Sequence, residues 1–468
     1  MESRSRYLAK NTLIFTIGNF GSKFISFFLV PLYTNFLSTE EYGVADLITT
    51  ICAVLAPILI LNISEAIMRF SLDKGAEQAV ISKIGIRIFE LSILIGVFLI
   101  PVYALFEPIR DYCVYIFVYN ISIGASTVFL YDLRGKELLL QYSIGSIILT
   151  LLSAFFNILF LVVFKSGVKG YISAFIIANF ITAIYAAIVG GSFKGYAKTR
   201  IDRKKMYDMI RFSAVLIPNT FMWWIMNSSD RVMVTAMVGS AANGIYAISY
   251  KLPTLISTFT GVFNQAWNYS AIRENGAVDE NEYNNSVFKS LISITMLMGI
   301  GIITIIKPFL KFYVEDSYYV AWRYTPFLVI GCVYLTLGTF MSTTYNVHKD
   351  SLGFLLSASI GAVTNICLNF LLIPLFQVYG AAIATCISYY VVFMFRFFHT
   401  RKYICFKIKN KEFILGTILL LSSSVVMFID NYCGIVLQII ILIFALVVYR
   451  SVWVSIIKVM FKKRLMRK

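Results

Sequence analysis

The stretch NSSDRVMVTAMVG, residues 227–239, places an acid and a base side by side, Asp230 and Arg231, inside a run that otherwise has the composition of a membrane-spanning helix. A charged side chain at the centre of a bilayer costs about 2.5–3.5 kcal/mol on insertion scales. Such residues therefore face a protein interior or a water-filled cavity. The pair indicates a helix that belongs to a membrane-embedded bundle.

The composition of the whole chain agrees with this interpretation. Its 468 residues are 59% hydrophobic and 14% charged, and the mean hydropathy is +0.79, whereas an average soluble domain has about 25% charged residues. The sequence therefore predicts a polytopic membrane protein. The net charge of +17 would suggest a nucleic-acid partner in a soluble chain, but here the basic residues follow the membrane topology, so no nucleic-acid partner is expected.

Metal and disulfide chemistry is not indicated. The seven cysteines lie mostly within apolar runs without CxxC spacing, and the two histidines are far apart, which argues against a disulfide framework or a zinc site. We expect neither a metal nor a cofactor.

Runs of about 20 apolar residues mark 14 predicted transmembrane helices, which makes the fold class all-α. The predicted spans are 13–37, 45–69, 84–106, 112–131, 144–164, 168–190, 212–238, 245–270, 287–307, 324–346, 353–376, 379–399, 412–430 and 434–457. The first run lasts about 25 residues without a small-residue cleavage site, so it is predicted to be a retained helix.

Basic residues concentrate in alternate connections between these spans. The predicted cytoplasmic stretches include MESRSRYLAKNT at the start, residues 194–205 with six Lys and Arg, and the tail KVMFKKRLMRK. The loops on the other side, such as LSTEEYG, VGSAANG and FQVYG, carry almost no Lys or Arg. The positive-inside rule then places both termini in the cytoplasm.

Reporter fusions test this topology. A reporter that is active only outside the cell should stay silent when fused at Lys205, because the basic residues around that position hold the loop in the cytoplasm. The same reporter fused in the loop VGSAANG should be active. Activity at Lys205 would refute the predicted orientation.

Two pairs of segments recur along the chain. EEYGVADL (residues 40–47) follows the first span and AANGIYAI (residues 241–248) follows the seventh, so Gly43 and Gly244 occupy equivalent places. NILFLVVFKSGVKGYISA, from Asn157, matches NFLLIPLFQVYGAAIATC, from Asn369, when two residues are dropped from the loop.

This repetition predicts two six-helix lobes, residues 1–199 and 200–402, followed by an extra helix pair and a basic cytoplasmic tail, residues 403–468. Six is an even number, so the two copies insert with the same orientation and a pseudo-two-fold axis runs along the membrane normal. A cleft between the lobes is the expected route of the substrate.

The ionisable residues within the predicted spans fall in the first two helices of each lobe. They are Lys23 in the first span, Glu65 and Arg69 in the second, Asp230 and Arg231 in the seventh, and Lys251 in the eighth. Four cations outnumber two acids, so a cavity lined by them would attract anions, and phosphate in particular. Two alternatives stay open: Asp230 forms a buried ion pair with Arg231 or Lys251, or Arg69 extends to the membrane interface.

An enzymatic function is not indicated. GGSFKGYAK (residues 190–198) has Tyr196 where a phosphate-binding loop needs its lysine, and the longest stretch outside the membrane is about 20 residues, too short for a catalytic domain.

Several stretches resemble the polysaccharide flippases of the Wzx type, which belong with the lipid II flippases and the MATE drug exporters to the MOP superfamily. They are KNTLIFTIGNFGSKFISFFLVPLYTNFLSTEEYGVADL (residues 10–47), IMRF (residues 67–70), SSDRVMVTAMVGSAANGIYAISYKL (residues 228–252) and the paired late segments above. The resemblance covers essentially the whole chain.

The resemblance implies two six-helix lobes around a lumen. It also implies transport of an undecaprenyl-pyrophosphate-linked oligosaccharide from the inner to the outer leaflet of a bacterial plasma membrane by alternating access, for an O-antigen or capsule-like polysaccharide. The implied partners are this substrate, membrane lipids and the polysaccharide polymerase machinery. The alternatives are a lipid II-type flippase and a MATE-like drug or cation antiporter. Lys23 argues against the antiporter, because a site for cationic substrates needs an anionic pocket.

The resemblance further assigns Lys23, Arg69, Arg231 and Lys251 to binding of the pyrophosphate and acidic sugars. Asp230 and Glu65 are candidates for a counter-charge or for ion coupling. Asp230 and Arg231 point about 100° apart on a helix and cannot both face one partner. We expect Arg231 to contact the substrate and Asp230 to be its counter-charge or the partner of Lys251.

Overall fold

The computed structural model describes residues 25–450 except 74, 195, 275 and 409–410, and also residue 454. In this part of the chain there are 17 α-helices and no strand. The helices are α1 (Val30–Phe36), α2 (Thr39–Leu59), α3 (Ile63–Ser71), α4 (Gln78–Tyr103), α5 (Cys113–Gly135), α6 (Leu139–Ile158), α7 (Gly167–Gly190), α8 (Arg203–Ala214), α9 (Ile217–Met237), α10 (Ser240–Ser249), α11 (Pro253–Arg273), α12 (Glu280–Tyr313), α13 (Thr325–Val347), α14 (Ser351–Phe376), α15 (Val378–His399), α16 (Lys411–Val426) and α17 (Tyr432–Val448).

The predicted all-α membrane fold is confirmed. Within the described residues, ten helical stretches are long and apolar enough to cross a membrane, and two shorter apolar helices, Ile25–Phe36 and Tyr432–Val448, accompany them. Each of the 14 predicted spans overlaps one helix or two consecutive helices. Helices dominate because a bilayer requires every backbone N–H and C=O group to be paired within the protein.

Three predicted spans are each broken into two helices. Between α2 and α3, Leu61 and Asn62 adopt left-handed φ angles of 52° and 51°, which interrupt the helix. The other breaks lie between α8 and α9 and between α10 and α11, where Pro218 and Pro253 stand near the start of the second helix. Proline lacks the N–H group needed inside a helix but fits its first turn.

The described residues fall into two compact units. The first extends to Trp224 and includes Gly239–Gly244, and the second comprises Ile225–Val238 and the residues from Ile245 onward. In the first unit, isoleucines of α3 and α4 form an apolar core with Met209 of α8. The lobe boundaries at residues 199 and 402 stay predictions.

The two glycines at equivalent places in the repeat lie against each other in the first unit. A Cβ atom added to Gly43 would lie 1.8 Å from the carbonyl oxygen of Ser240, and one added to Gly244 would lie 2.0 Å from that of Thr39. Thr39 and Ser240 are the first residues of α2 and α10. The side chain of Asn243 also donates to the Gly43 carbonyl at 2.8 Å. Only glycine allows the two helix starts to approach this closely.

The second repeated pair also has matching local structure. Asn157 and Asn369 are both fully buried. The Asn157 amide donates to the carbonyl of Ser153 at 2.7 Å, and the Asn369 amide donates to the side chain of Asn365 at 2.9 Å, so each bonds to the residue four positions earlier.

The helix pair α16 and α17 belongs to the second unit and packs on α12. Lys289 of α12 and Glu412 of α16 form an ion pair at 2.7 Å. The amide of Gln438 in α17 donates to the Ser423 carbonyl in α16 at 2.6 Å, which joins the two helices of the pair.

Candidate functional site

Asp230 is the centre of a buried polar network in the second unit. It lies on α9 and is only 1% exposed. Its Oδ2 atom accepts hydrogen bonds from the hydroxyl groups of Tyr246 on α10 and Thr385 on α15, the latter at 3.1 Å. Its Oδ1 atom accepts from the backbone N–H of Arg231 at 2.9 Å. A buried carboxylate needs such donors, because burial without them is strongly unfavourable.

The network continues through the amides of α14. The Asn365 amide donates to the Thr385 hydroxyl at 3.3 Å. The side-chain oxygen of Asn365 in turn accepts from Ser229 at 3.2 Å and from Asn369 at 2.9 Å. Four helices, α9, α10, α14 and α15, thus contribute side chains to one connected set of hydrogen bonds. Because both oxygens of the carboxylate and both ends of the Asn365 amide are hydrogen-bonded, the groups around the carboxylate are held in place.

The chemistry of this network suits a small hard cation or a proton. Its members offer carboxylate, amide and hydroxyl oxygens, which are ligands of hard cations rather than of zinc or copper. Among the described residues, no group of three or more His, Cys, Asp and Glu side chains comes together in a way that could hold a metal ion. Asp230 contributes the one carboxyl group of this network, and a carboxyl group can exist with or without a proton.

Arg231 leaves α9 in a different direction from Asp230. Its side chain is half-buried, and the guanidinium carbon lies 5.6 Å from the ring centroid of Tyr250. Lys251, which follows Tyr250 in the chain, is half-buried as well. The divergence of Asp230 and Arg231 follows from the helical rotation of about 100° per residue. The predicted pairing of Asp230 with Lys251 stays a prediction.

The other predicted site residues lie elsewhere or outside the described part of the chain. Arg69, on α3 in the first unit, is 57% exposed and pairs with Asp73 at 2.6 Å. Glu65, one turn earlier, is half-buried. Lys23 precedes the first described residue. The roles predicted for these three residues stay predictions.

The partners of Asp230 were not predicted from the sequence. Asn365 and Asn369 could have been recognised, since two amides one turn apart in an apolar helix usually hydrogen-bond within a bundle. Tyr246 and Thr385 carry no such signal, because single tyrosine and threonine residues are frequent in membrane helices.

Comparison with solved structures shows that this chain shares its fold with a lipid II flippase and with transporters of the MOP superfamily. The lipid II flippase MurJ in an inward closed conformation is 17% identical, with a TM-score of 0.71, and the match covers 95% of this chain and 99% of that one. An inward-facing multidrug resistance MATE family transporter is 14% identical, with a TM-score of 0.60 and coverage of 87% and 95%. A MOP superfamily transporter from Pyrococcus furiosus is 13% identical, with a TM-score of 0.55 and coverage of 90% and 96%.

Comparison with curated proteins gives no match. A family model described as "Polysaccharide biosynthesis protein" matches residues 8–268, which is more than half of the chain. The predicted resemblance is therefore confirmed, and the chain belongs to the polysaccharide biosynthesis protein family.

Proposed function

We propose that this protein moves an undecaprenyl-pyrophosphate-linked oligosaccharide from the inner to the outer leaflet of a bacterial plasma membrane, with both termini in the cytoplasm. The product would be assembled into an O-antigen or capsule-like polysaccharide, with the polysaccharide polymerase machinery as a partner. The observation that carries the proposal is the family match over residues 8–268. The likeness to a lipid II flippase along almost the whole chain supports it, since that protein's name also specifies movement of a lipid.

In this proposal the cations bind the substrate. Arg231, Lys251, Arg69 and Lys23 contact the pyrophosphate and acidic sugars, because Arg and Lys are the natural partners of phosphate oxygens. Arg231 and Lys251 are half-buried in the second unit, so they stay accessible, and an ionic contact with phosphate is less screened there than in bulk water. The network around Asp230 is the site of the coupling ion, and Glu65 is a second acidic candidate. The protein needs no catalytic group for this task.

Loss of the gene should leave lipid-linked repeat units in the inner leaflet of the membrane. When the deletion strain expresses Arg231→Ala, we expect polymer export at least tenfold lower than with the wild-type protein. The reason is that a charge-assisted hydrogen bond is worth about 1.5–3 kcal/mol. Arg231→Lys should retain more export, since it keeps the charge. Polymer export per molecule of folded protein is the measurement.

Arg273→Ala is the matched control, because Arg273 is an exposed base at the end of α11 in the same unit. It should export normally. Normal export by Arg231→Ala at equal protein level would remove Arg231 from the substrate site. An absence of accumulated lipid-linked units in the deletion strain would overturn the proposed function itself.

Flipping of lipid II is the second candidate, because the TM-score of 0.71 to a lipid II flippase is higher than the 0.60 to a MATE transporter. Depletion of the protein would then stop peptidoglycan synthesis and leave lipid II in the inner leaflet, while surface polysaccharide precursors would not accumulate.

A further inference from the structure

A cavity of about 400 Å³ lies between α12, α16 and α17 in the second unit, apart from the network of Asp230. Its wall is mostly aliphatic, with Ile303 and Pro308 on α12, Met427 after α16 and Ile439 on α17. The volume lies within the range of about 300–1,000 Å³ that is usual for ligand sites. The cavity is therefore large enough for an apolar chain.

The polar groups in the wall of this cavity are bonded to one another. The Thr304 hydroxyl donates to the Ile300 carbonyl at 2.8 Å and contacts the Gln438 side-chain oxygen at 3.4 Å. The same oxygen accepts from the Ser423 hydroxyl at 2.8 Å, and the Gln438 amide donates to the Ser423 carbonyl. These groups are satisfied within the protein, so the interior of the cavity suits a hydrocarbon occupant.

The mouth of the cavity carries one charge of each sign. Lys307 lines the cavity and forms an ion pair with Asp430. The Lys307 ammonium also lies 4.0 Å from the ring centroid of Trp322. An adjoining cavity of about 530 Å³ is lined by Lys307, Asp430 and Asn431 as well. Asp430 is 71% exposed, so the ion pair is open to competition from other charged groups.

The depth of these groups matches a membrane interface. Lys307 is the last residue of the predicted span 287–307, and Ile303 and Thr304 lie one turn deeper on the same helix. Lysine and tryptophan side chains are typical of the boundary between hydrocarbon and head groups. An occupant of the cavity would thus have its apolar part among the aliphatic side chains and its head group beside Lys307 and Asp430.

We propose that this cavity binds one acyl chain of an ethanolamine phospholipid, with the head-group phosphate on Lys307 and the head-group ammonium on Asp430. The adjacent cation and anion complement the two charges of that head group. A glycerol head group carries no ammonium for Asp430, so it would match Lys307 alone. The proposal concerns a lipid of the membrane and does not depend on the transported substrate.

Native mass spectrometry of the purified full-length protein tests the site. We expect wild-type protein to retain one ethanolamine phospholipid. After delipidation it should bind this lipid about fivefold more tightly than a phosphatidylglycerol with the same acyl chains, the ratio that about 1 kcal/mol from a partly exposed ion pair gives. Asp430→Asn should remove the preference between the two lipids, whereas Lys307→Gln should weaken the binding of both.

A change in the wall separates this cavity from the general lipid shell. Ile439→Phe narrows the cavity and should weaken binding of both lipids, while Ile440→Phe, on the next and similarly exposed residue of α17, should not. Unchanged unfolding temperatures of all four variants show that they fold. Absence of saturable phospholipid binding, or retention of a prenyl lipid instead, would overturn the proposal. So would an Ile439→Phe variant that binds phospholipid as the wild type does, or an Asp430→Asn variant that keeps the head-group preference.

Discussion

Asp230→Asn is expected to abolish export and to lower the yield of folded protein. The carboxylate accepts hydrogen bonds from the Tyr246 and Thr385 hydroxyls on one oxygen and from the Arg231 N–H on the other. An asparagine at this position turns an NH₂ group toward one of these sets of donors, and a buried unsatisfied polar group costs about 1–3 kcal/mol. It also removes the negative charge next to Arg231. The monodisperse fraction of the purified protein and the export per folded molecule are the measurements.

Tyr246→Phe is the matched control for this change. It removes one hydrogen bond to Asp230 but keeps the carboxylate, so it should lower stability by about 1 kcal/mol and retain measurable export. If Asp230→Asn exports as well as the wild type does, Asp230 is not the coupling residue, and the network is only structural.

The identity of the coupling ion can be read from thermal stability. A sodium site at Asp230 should give the wild-type protein a higher unfolding temperature in NaCl than in KCl at equal concentration, because a ligand of the folded state stabilises it. Asp230→Asn should lose this difference. If the ion is a proton, sodium has no effect in either protein, and export driven by an imposed pH gradient should stop in Asp230→Asn.

The predicted pairing of Asp230 with Lys251 has a test of its own. If the two are paired, adding Lys251→Met to Asp230→Asn should restore part of the folded yield, because the buried cation that lacks compensation is removed as well. A double variant that is no better expressed than the worse single variant would contradict the pairing.

Gly43→Ala is expected to destabilise the protein strongly and to stop export. The added Cβ atom would lie 1.8 Å from the Ser240 carbonyl oxygen, and this oxygen belongs to the backbone, so a rotamer change cannot relieve the clash. The starts of α2 and α10 must then move apart. Overpacking typically costs about 1–3 kcal/mol, and a backbone clash belongs at the upper end of that range. The unfolding temperature of the purified protein measures the effect.

Gly244→Ala should have a similar effect, because its Cβ atom would lie 2.0 Å from the Thr39 carbonyl oxygen. The two substitutions push apart the same two helix starts, so the double variant should be less destabilised than the sum of the single variants. Gly301→Ala is the control, since the position on α12 has no atom within 4 Å of the added Cβ. An unchanged unfolding temperature in Gly43→Ala would contradict the observed approach of the helices.

The sequence alone predicted the membrane class, and it predicted the approximate positions of the ten helical stretches in the described residues that are long and apolar enough to cross a membrane. This was possible because a bilayer imposes a length and an apolar composition on every helix that crosses it. Three of the predicted spans contain breaks that were not predicted. Leu61 and Asn62, which interrupt one of them, are ordinary residues whose left-handed conformation depends on the surrounding helices.

The repeat of the sequence predicted that Gly43 and Gly244 are equivalent, but only the structure shows that they touch. Equivalence follows from local similarity between two segments, whereas contact depends on how segments about 200 residues apart in the chain are placed. The wall of the acyl-chain cavity is a similar case, because α12 and α17 are separated by four other helices in the sequence.

For the candidate site, the sequence determined that Asp230 and Arg231 diverge by one helical step and that a charge here needs a protein environment. It did not determine which groups surround the carboxylate. Thr385 is 155 positions away from Asp230, and its hydroxyl reaches the carboxylate only when α9 and α15 lie side by side. Hydropathy and helical periodicity report on neighbours along the chain, whereas the partners of a buried charge are set by the packing of helices, which only the tertiary structure decides.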